Sequence, residues 1–261
     1  MQDISLAFLI LSCDKYADLW DGYFHQMEKN FNLDLPVYFA SNINSPNTSF
    51  PLRLIHTGAE VSWGINFKRV LKEINERYVF ITLEDLYLQS KFSTSLFSEV
   101  SNFIHHSPVH VKHLKYSGVI KGKEMVSDHI SNLPSGMPYR VTLCGIWDRE
   151  YLLSFIEDGE NPWEFEVHGS VRAVNVEGYF ALNLPICKTI NMVEKGVWIK
   201  KSISWAIKNR VPVYINTRPS KSWGQEFVST IKDGFFNSVI KIDYSLRKKI
   251  VDLIKKILVV H

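Results

Sequence analysis

The apolar positions of this chain follow two periodicities. Ser5-Leu-Ala-Phe-Leu-Ile-Leu-Ser12 is a continuous apolar run of strand length that stops at Cys13-Asp14-Lys15, the pattern of a strand covered on both faces. Across residues 16–31, Leu19, Tyr23, Met27 and Phe31 recur at helical spacing and predict an amphipathic helix; Pro36-Val-Tyr-Phe-Ala40 then predicts a second strand. Residues 63–77 place Phe67, Val70, Leu71 and Ile74 on one helical face and leave Asn66, Lys68 and Arg69 elsewhere on its surface. Tyr78-Val-Phe-Ile-Thr-Leu83 is another buried strand, and it stops at Glu84-Asp85. Further on, the pattern predicts a helix over 93–105, strands over 109–116 and 141–147, and a helix opened by Asp148 as N-cap.

Strands alternating with helices predict an α/β domain built on a mixed, mostly parallel sheet. Ligands of such sheets bind beyond the carboxyl ends of the strands, which directs attention to residues 13–16, 41–44 and 84–87. With 261 residues, 46% hydrophobic and 22% charged, the chain has the composition of a folded globular protein, and no Ser/Gly linker divides it. One domain over 1–240 and a separate segment over 241–261 are expected. The net charge of +3 is too small a bias to predict a nucleic-acid partner. Cys13, Cys144 and Cys187 are far apart and lack CxxC spacing, and the first apolar run has neither the basic flank of a signal peptide nor the length of a membrane span. These features predict a cytoplasmic protein.

No glycine-rich phosphate motif follows the first strand, and Gly122-Lys123 lacks the rest of a P-loop. Glu84-Asp85 is the alternative: two adjacent carboxylates at a strand exit offer hard oxygen ligands for Mg²⁺ or Mn²⁺, which could bridge a diphosphate, although an ordinary acidic turn has the same sequence. In Asn161-Pro-Trp-Glu-Phe-Glu166, Asn161 as N-cap, Pro162 at the first helical position and Glu164 at the third form a helix-start signature, so Glu164 has a capping role open to it. Glu166 has no such explanation. Beside Trp163 and Phe165 it suits a general base with a raised pKa, and equally a solvated helix-face glutamate. His105, His106, His110 and His113 do not converge, because Pro108 separates the pairs and the strand pattern sends His110 and His113 to opposite faces. Cys144, flanked by apolar residues, reads as a small buried hydrophobe.

Near the C-terminus, Leu246, Ile250, Leu253, Ile254, Ile257 and Leu258 repeat at helical spacing while Arg247, Lys248, Lys249, Lys255 and Lys256 supply a cationic face. A basic amphipathic helix of this kind either packs on the domain or lies on an anionic membrane surface.

The ordered set Ser12-Cys-Asp-Lys-Tyr16, Trp63-Gly-Ile-Asn-Phe-Lys-Arg-Val-Leu71, Tyr78-Val-Phe-Ile-Thr-Leu-Glu-Asp-Leu-Tyr-Leu88, Gly145-Ile-Trp-Asp-Arg-Glu-Tyr-Leu152, Glu160-Asn-Pro-Trp-Glu-Phe-Glu166 and Gly196-Val-Trp198 resembles bacterial glycosyltransferases of GT-A fold that build lipopolysaccharide, O-antigen and capsule glycans. The resemblance implies a GT-A-like, Rossmann-type sheet flanked by helices, a nucleotide-sugar donor at the strand ends, and a glycan or lipid-linked acceptor. Glu84 and Asp85 stand where the family carries its acidic metal motif, DxD, though position 86 is Leu. Glu166 stands as the acceptor-side base of an inverting transfer, with Glu164 beside it as a second catalytic candidate. Asp14, Tyr16 and Arg69 are donor-side candidates, and Trp163 and Arg172 acceptor-side ones. An enzyme of this kind works at the inner face of the membrane, with 247–256 as its contact. The truncated acidic motif leaves open a non-catalytic nucleotide- or glycan-binding protein of the same fold, and more remotely a metal-dependent phosphohydrolase.

Overall fold

Leu6–Leu11 forms β1 and is buried along its whole length, as its unbroken apolar run predicts. The computed structural model describes residues 5–222 and 224, apart from 60, 118–121, 123 and 138. After β1 a 3-10 turn over Asp14–Leu19 leads into α1 (Trp20–Asn30), where the sequence predicts one helix over 16–31. The first turn is tighter because the Tyr16 N–H reaches the Cys13 carbonyl and the Trp20 indole N–H is drawn back to Ser12 Oγ at 2.8 Å. β2 (Val37–Ser41), β3 (Arg53–His56), α2 (Trp63–Lys72), β4 (Tyr78–Leu83), the short β5 (Leu86–Leu88) and α3 (Thr94–His106) follow. α2 stops at Lys72, short of the predicted 77. Arg149 occupies the carbonyl of Leu71 in the last turn and that of Glu76 beyond it, and so fixes a non-helical exit.

The second half contains β6 (His113–Lys115), β7 (Glu124–Met125), β8 (Ile130–Asn132), β9 (Gly145–Asp148), α4 (Arg149–Phe155), α5 (Pro162–Arg172), β10 (Tyr179–Leu182), β11 (Thr189–Asn191), β12 (Val193–Glu194), β13 (Val197–Trp198) and α6 (Lys200–Lys208). Nine strands make one sheet in the order β3-β2-β1-β4-β9-β6-β10-β8-β7. β3, β2, β1 and β4 run parallel, β9 is antiparallel to both β4 and β6, and β8 is antiparallel to β10. The fold is therefore α/β, a mixed and mostly parallel sheet flanked by helices.

Both sheet faces are covered. Phe8, Phe39 and Phe80 pack with α1 and α3 on one side, while Leu9, Val79 and Trp147 pack with α2, α4 and α5 on the other, the period-two division expected of buried strands. Histidine placement follows this layering: His113 is buried and stacks on Trp147 at 3.9 Å, whereas His110 turns outward to Asp148 at 2.8 Å. Among the described residues no group of three or more His, Cys, Asp or Glu is arranged to hold a metal ion, and no helix is long and apolar enough to cross a membrane. The basic segment 241–261 lies outside the described residues.

Register decides where the functional residues meet. β1 and β4 pair in parallel from Leu6↔Tyr78 to Leu11↔Leu83, and Leu11 also pairs with Ala40 of β2. The three strands therefore end within a residue of one another, and Ser12, Ser41 and Glu84 lie side by side. Gly64 seats the start of α2 on the α4–α5 connection: a Cβ there would overlap the Glu157 carbonyl oxygen, so only glycine allows the contact.

Candidate active site

Beyond these level strand ends lies a cavity of about 730 Å³. Its floor is made by the exits of β1, β2 and β4 through Ser12, Cys13, Asn42, Glu84 and Asp85; α2 contributes Trp63, Asn66 and Phe67. The far wall comes from the second half, with Tyr139, Leu143 and Cys144 from the segment before β9, Pro162, Trp163 and Glu166 from α5, and Asn191, Glu194 and Lys195 from the late hairpins. The sheet edge that the parallel-strand rule selects is thus the edge that carries the cleft.

Glu84 and Asp85 form its acidic end. Burial and the neighbouring Asp85 push the Glu84 carboxyl well above the usual carboxylate range. Burial raises Asp85 from 3.8 to about 6, against the opposing pull of its own backbone hydrogen bond and of Arg218. Asp85 Oδ1 is buried without a hydrogen-bond partner, and its backbone carbonyl accepts from Met192 N at 2.8 Å, which ties the acidic turn to the β11–β12 region. A buried carboxylate oxygen without a donor is an unsatisfied acceptor, and such groups are uncommon without a functional reason.

Glu166 stands in the opposite wall. The α5 start is the capping box expected from sequence: Asn161 Oδ1 accepts from Trp163 N and Glu164 N, and Glu164 returns a carboxylate oxygen to Asn161 N at 3.0 Å. One turn later Glu166 faces the cavity, and its Oε1 accepts from Leu143 N at 2.9 Å. Burial raises its pKa, opposed by that hydrogen bond and by the Lys115 charge. Trp163 is 66% exposed at the rim, which places its face toward solvent and the cavity rather than in the core.

Several candidates belong elsewhere. Glu164 is engaged by the cap, the role that the helix-start signature left open to it. Arg172, at the last turn of α5, is paired with Glu160 at 2.9 Å, lies over the Phe155 ring and is not among the residues that line the cavity. Asp14 is turned into the loop after β2, where its carboxylate accepts from the N–H groups of Asn42, Ile43 and Asn44. Arg69 donates to the Thr57 carbonyl and to Asn66 Oδ1, both of them cavity-lining residues. Tyr16 does line the cavity, and burial, followed by Glu84, raises its pKa. Cys144 lines it as well, with burial holding the thiol protonated.

Three basic residues emerge only in three dimensions. Arg218 lies 4.2 Å over the Tyr16 ring, grips Asp18, and pulls on the charges of Glu84 and Asp85. Lys195, at φ 51° in the β12–β13 turn, lines the cavity. Lys115 of β6 is buried and donates to the carbonyl of Tyr139, a residue of the cavity wall. None has a sequence motif. The only signal was Gly196 after Lys195, the mark of a tight turn.

No protein-family model matches the sequence, and no curated protein matches it. Among solved structures, the chain is similar to Staphylococcus aureus TarS 1-349 (TM-score 0.42, 11% identity, 67% of this chain and 60% of that one). It is similar also to mannosyltransferase PcManGT from Pyrobaculum calidifontis, in complex with GDP-Man and Mn²⁺ (TM-score 0.46, 13% identity, 80% and 61%). A third likeness is to a cytidylyltransferase from Leptospira borgpetersenii (TM-score 0.42, 10% identity, 79% and 95%). The chain thus spans about 60% of the length of the first two. Likeness at this level assigns neither family nor activity. Fold and cavity define the class: an α/β protein with an acidic and aromatic cleft at the carboxyl edge of its parallel strands.

Proposed function

We propose that the chain is a glycosyltransferase that moves a sugar from a nucleotide-sugar donor to a hydroxyl of a glycan or lipid-linked acceptor in bacterial surface polysaccharide synthesis, with inversion at the anomeric carbon. The observation that carries this reading is the convergence of Asp85 and Glu166 on one cavity. The donor diphosphate belongs at the Glu84–Asp85 end and the acceptor at the Glu166 and Trp163 end. Glu166, whose carboxyl pKa burial raises, takes the proton of the acceptor hydroxyl. The acceptor oxygen then bonds the anomeric carbon as the bond from that carbon to the diphosphate breaks, and the nucleoside diphosphate leaves.

The unpartnered, buried Asp85 Oδ1 beside Glu84 fits a divalent cation, Mg²⁺ or Mn²⁺, with Asp85 and Glu84 as the protein ligands. Such an ion supplies positive charge that neutralises the diphosphate. Among the chain's own groups Lys195 lines the same cavity and is placed to add to that charge. Trp163 offers an apolar ring face to a sugar.

Incubation with a panel of nucleotide sugars tests the reading. The expected result is release of nucleoside diphosphate from one donor, slow without acceptor and faster with one. Absence of release from every donor, with only a thermal shift on binding, would overturn catalysis in favour of a binding protein.

A further inference from the structure

Residues 212–221, which follow α6, tie two walls of the cleft together. Their path is set first at α1: a Cβ at Gly22 would overlap the Pro212 carbonyl oxygen and the Tyr87 ring, so glycine lets the segment lie against the helix. Tyr214 Oη then donates to Asp21, and Thr217 Oγ1 donates to Asp18. At its far end the segment pairs with β13: Trp198 N donates to the Pro219 carbonyl at 2.9 Å, Lys221 N donates to the Trp198 carbonyl at 3.0 Å, and the Lys221 ammonium pairs with Glu194. The segment is a strap between the 3-10 turn after β1 and the β12–β13 hairpin. Each of these elements sends residues into the cavity, Tyr16 from the first and Glu194 and Lys195 from the second.

Arg218 is the strap's inward-turned cation. Thr217 and Pro219 on either side of it are exposed, whereas its own side chain is only 10% exposed. The guanidinium donates to both Asp18 carboxylate oxygens, at 2.6 and 2.8 Å, and to the Lys15 carbonyl at 2.6 Å. Held in that plane, it lies over the Tyr16 ring, with its central carbon 4.2 Å from the ring centre. Three hydrogen bonds thus fix the cation, and the cation covers one face of the ring. Tyr16 lines the cavity and Arg218 does not, so the ring stands between the guanidinium and the ligand space. That is the geometry of a support, not of a ligand contact.

We propose that Arg218 is a positioning residue for the donor: it backs the Tyr16 ring against the cavity and, through the strap, ties that ring to the hairpin that carries Lys195. The inference rests on the reading of the cleft as a nucleotide-sugar site and deepens it, since the donor-side candidate Tyr16 acquires its orientation from a residue about two hundred positions away.

Because Arg218 acts through Tyr16, a double-mutant cycle on nucleotide binding tests the inference without turnover. Arg218→Lys keeps the positive charge but loses the planar fork and its stack on the ring. Tyr16→Leu removes the ring. In calorimetric titration with UDP, GDP, ADP and CDP, each with Mn²⁺, each single variant should bind the wild type's preferred nucleotide about tenfold more weakly, and the double variant should be no weaker than Tyr16→Leu alone. If Arg218→Lys does not fold, Asp18→Asn takes its place, because it loosens the same guanidinium: it should weaken binding in the wild-type background and change nothing in Tyr16→Leu. A merely structural arginine would lower the melting temperature and leave nucleotide affinity at the wild-type value. That result, losses that multiply in the double variant, or a Tyr16→Leu that binds like the wild type overturns the inference. A wild type that binds none of the four nucleotides would instead overturn the functional reading of the site.

Discussion

Asp85 and Glu166 line one cavity, the first from the turn that ends β4 and the second from the second turn of α5. They arrive from different halves of the chain, and neither position is set by the other. Level parallel strands deliver Asp85, and a capping box followed by one helical turn delivers Glu166. Burial raises the carboxyl pKa at both ends of the cavity.

Glu166→Gln keeps an amide oxygen for the Leu143 N–H, so fold and donor binding should survive. Acceptor-dependent transfer should fall by about 10²–10⁴-fold, the usual contribution of a general base. Steady-state rates on the purified variant check this, and full activity would remove Glu166 from the mechanism.

Asp85 carries a stability penalty with a defined pH window. Its folded pKa of about 6 against 3.8 means that ionisation opposes folding, fully above pH 6 and not at all below 3.8. That difference corresponds to about 3 kcal/mol. Asp85→Asn should therefore stabilise the protein at pH 7.5 by up to that amount, and the gain should vanish as pH falls toward 4. Urea denaturation at both pH values measures it; an equal gain at both would contradict the assignment.

Arg218 and Asp18 are an ion pair with side chains only 10% and 13% exposed. Arg218→Ala leaves a nearly buried carboxylate alone and should destabilise the protein by about 3 kcal/mol at pH 7. Burial opposes ionisation of Asp18, but the Arg218 and Thr217 hydrogen bonds outweigh it and hold the carboxyl below 3.8, so the pair's contribution is present above 3.8 and is lost as pH falls through the lower folded value. Restoration of stability in the double variant with Asp18→Asn is the expected control.

Glu164 separates structure from chemistry. Glu164→Ala removes half of the capping box and should destabilise by about 1 kcal/mol, a fall of roughly 2–4 °C in Tm, with donor consumption unchanged. A large loss of rate at unchanged stability would return Glu164 to the catalytic candidates.

Strands β1 and β4 and the opening of α5 were legible in the sequence because each is a local signal, an unbroken apolar run or a cap at fixed offsets. The end of α2 was not, since Arg149 stops it from across the fold. The same division holds in the site. Glu84, Asp85 and Glu166 stand out as carboxylates at element ends or beside aromatics, whereas Lys115 looks like any strand lysine until the sheet closes over it, and Arg218 is joined to Tyr16 only by tertiary structure. Asp14 and Arg172 have partners within the fold that the sequence does not show, because a charge at a strand exit or a helix end reads the same whether it serves a ligand or the chain itself.

The central claim is that the cleft grips a nucleoside diphosphate through Asp85 and a divalent cation. Calorimetric titration of the wild type and Asp85→Asn with UDP, GDP, ADP and CDP, each with Mn²⁺ and then with EDTA, tests it most directly. The account predicts that one nucleotide saturates the wild type with Mn²⁺ and binds at least tenfold more weakly with EDTA or in Asp85→Asn. Binding indifferent to both the chelator and the substitution, or no binding by any of the four, would contradict it.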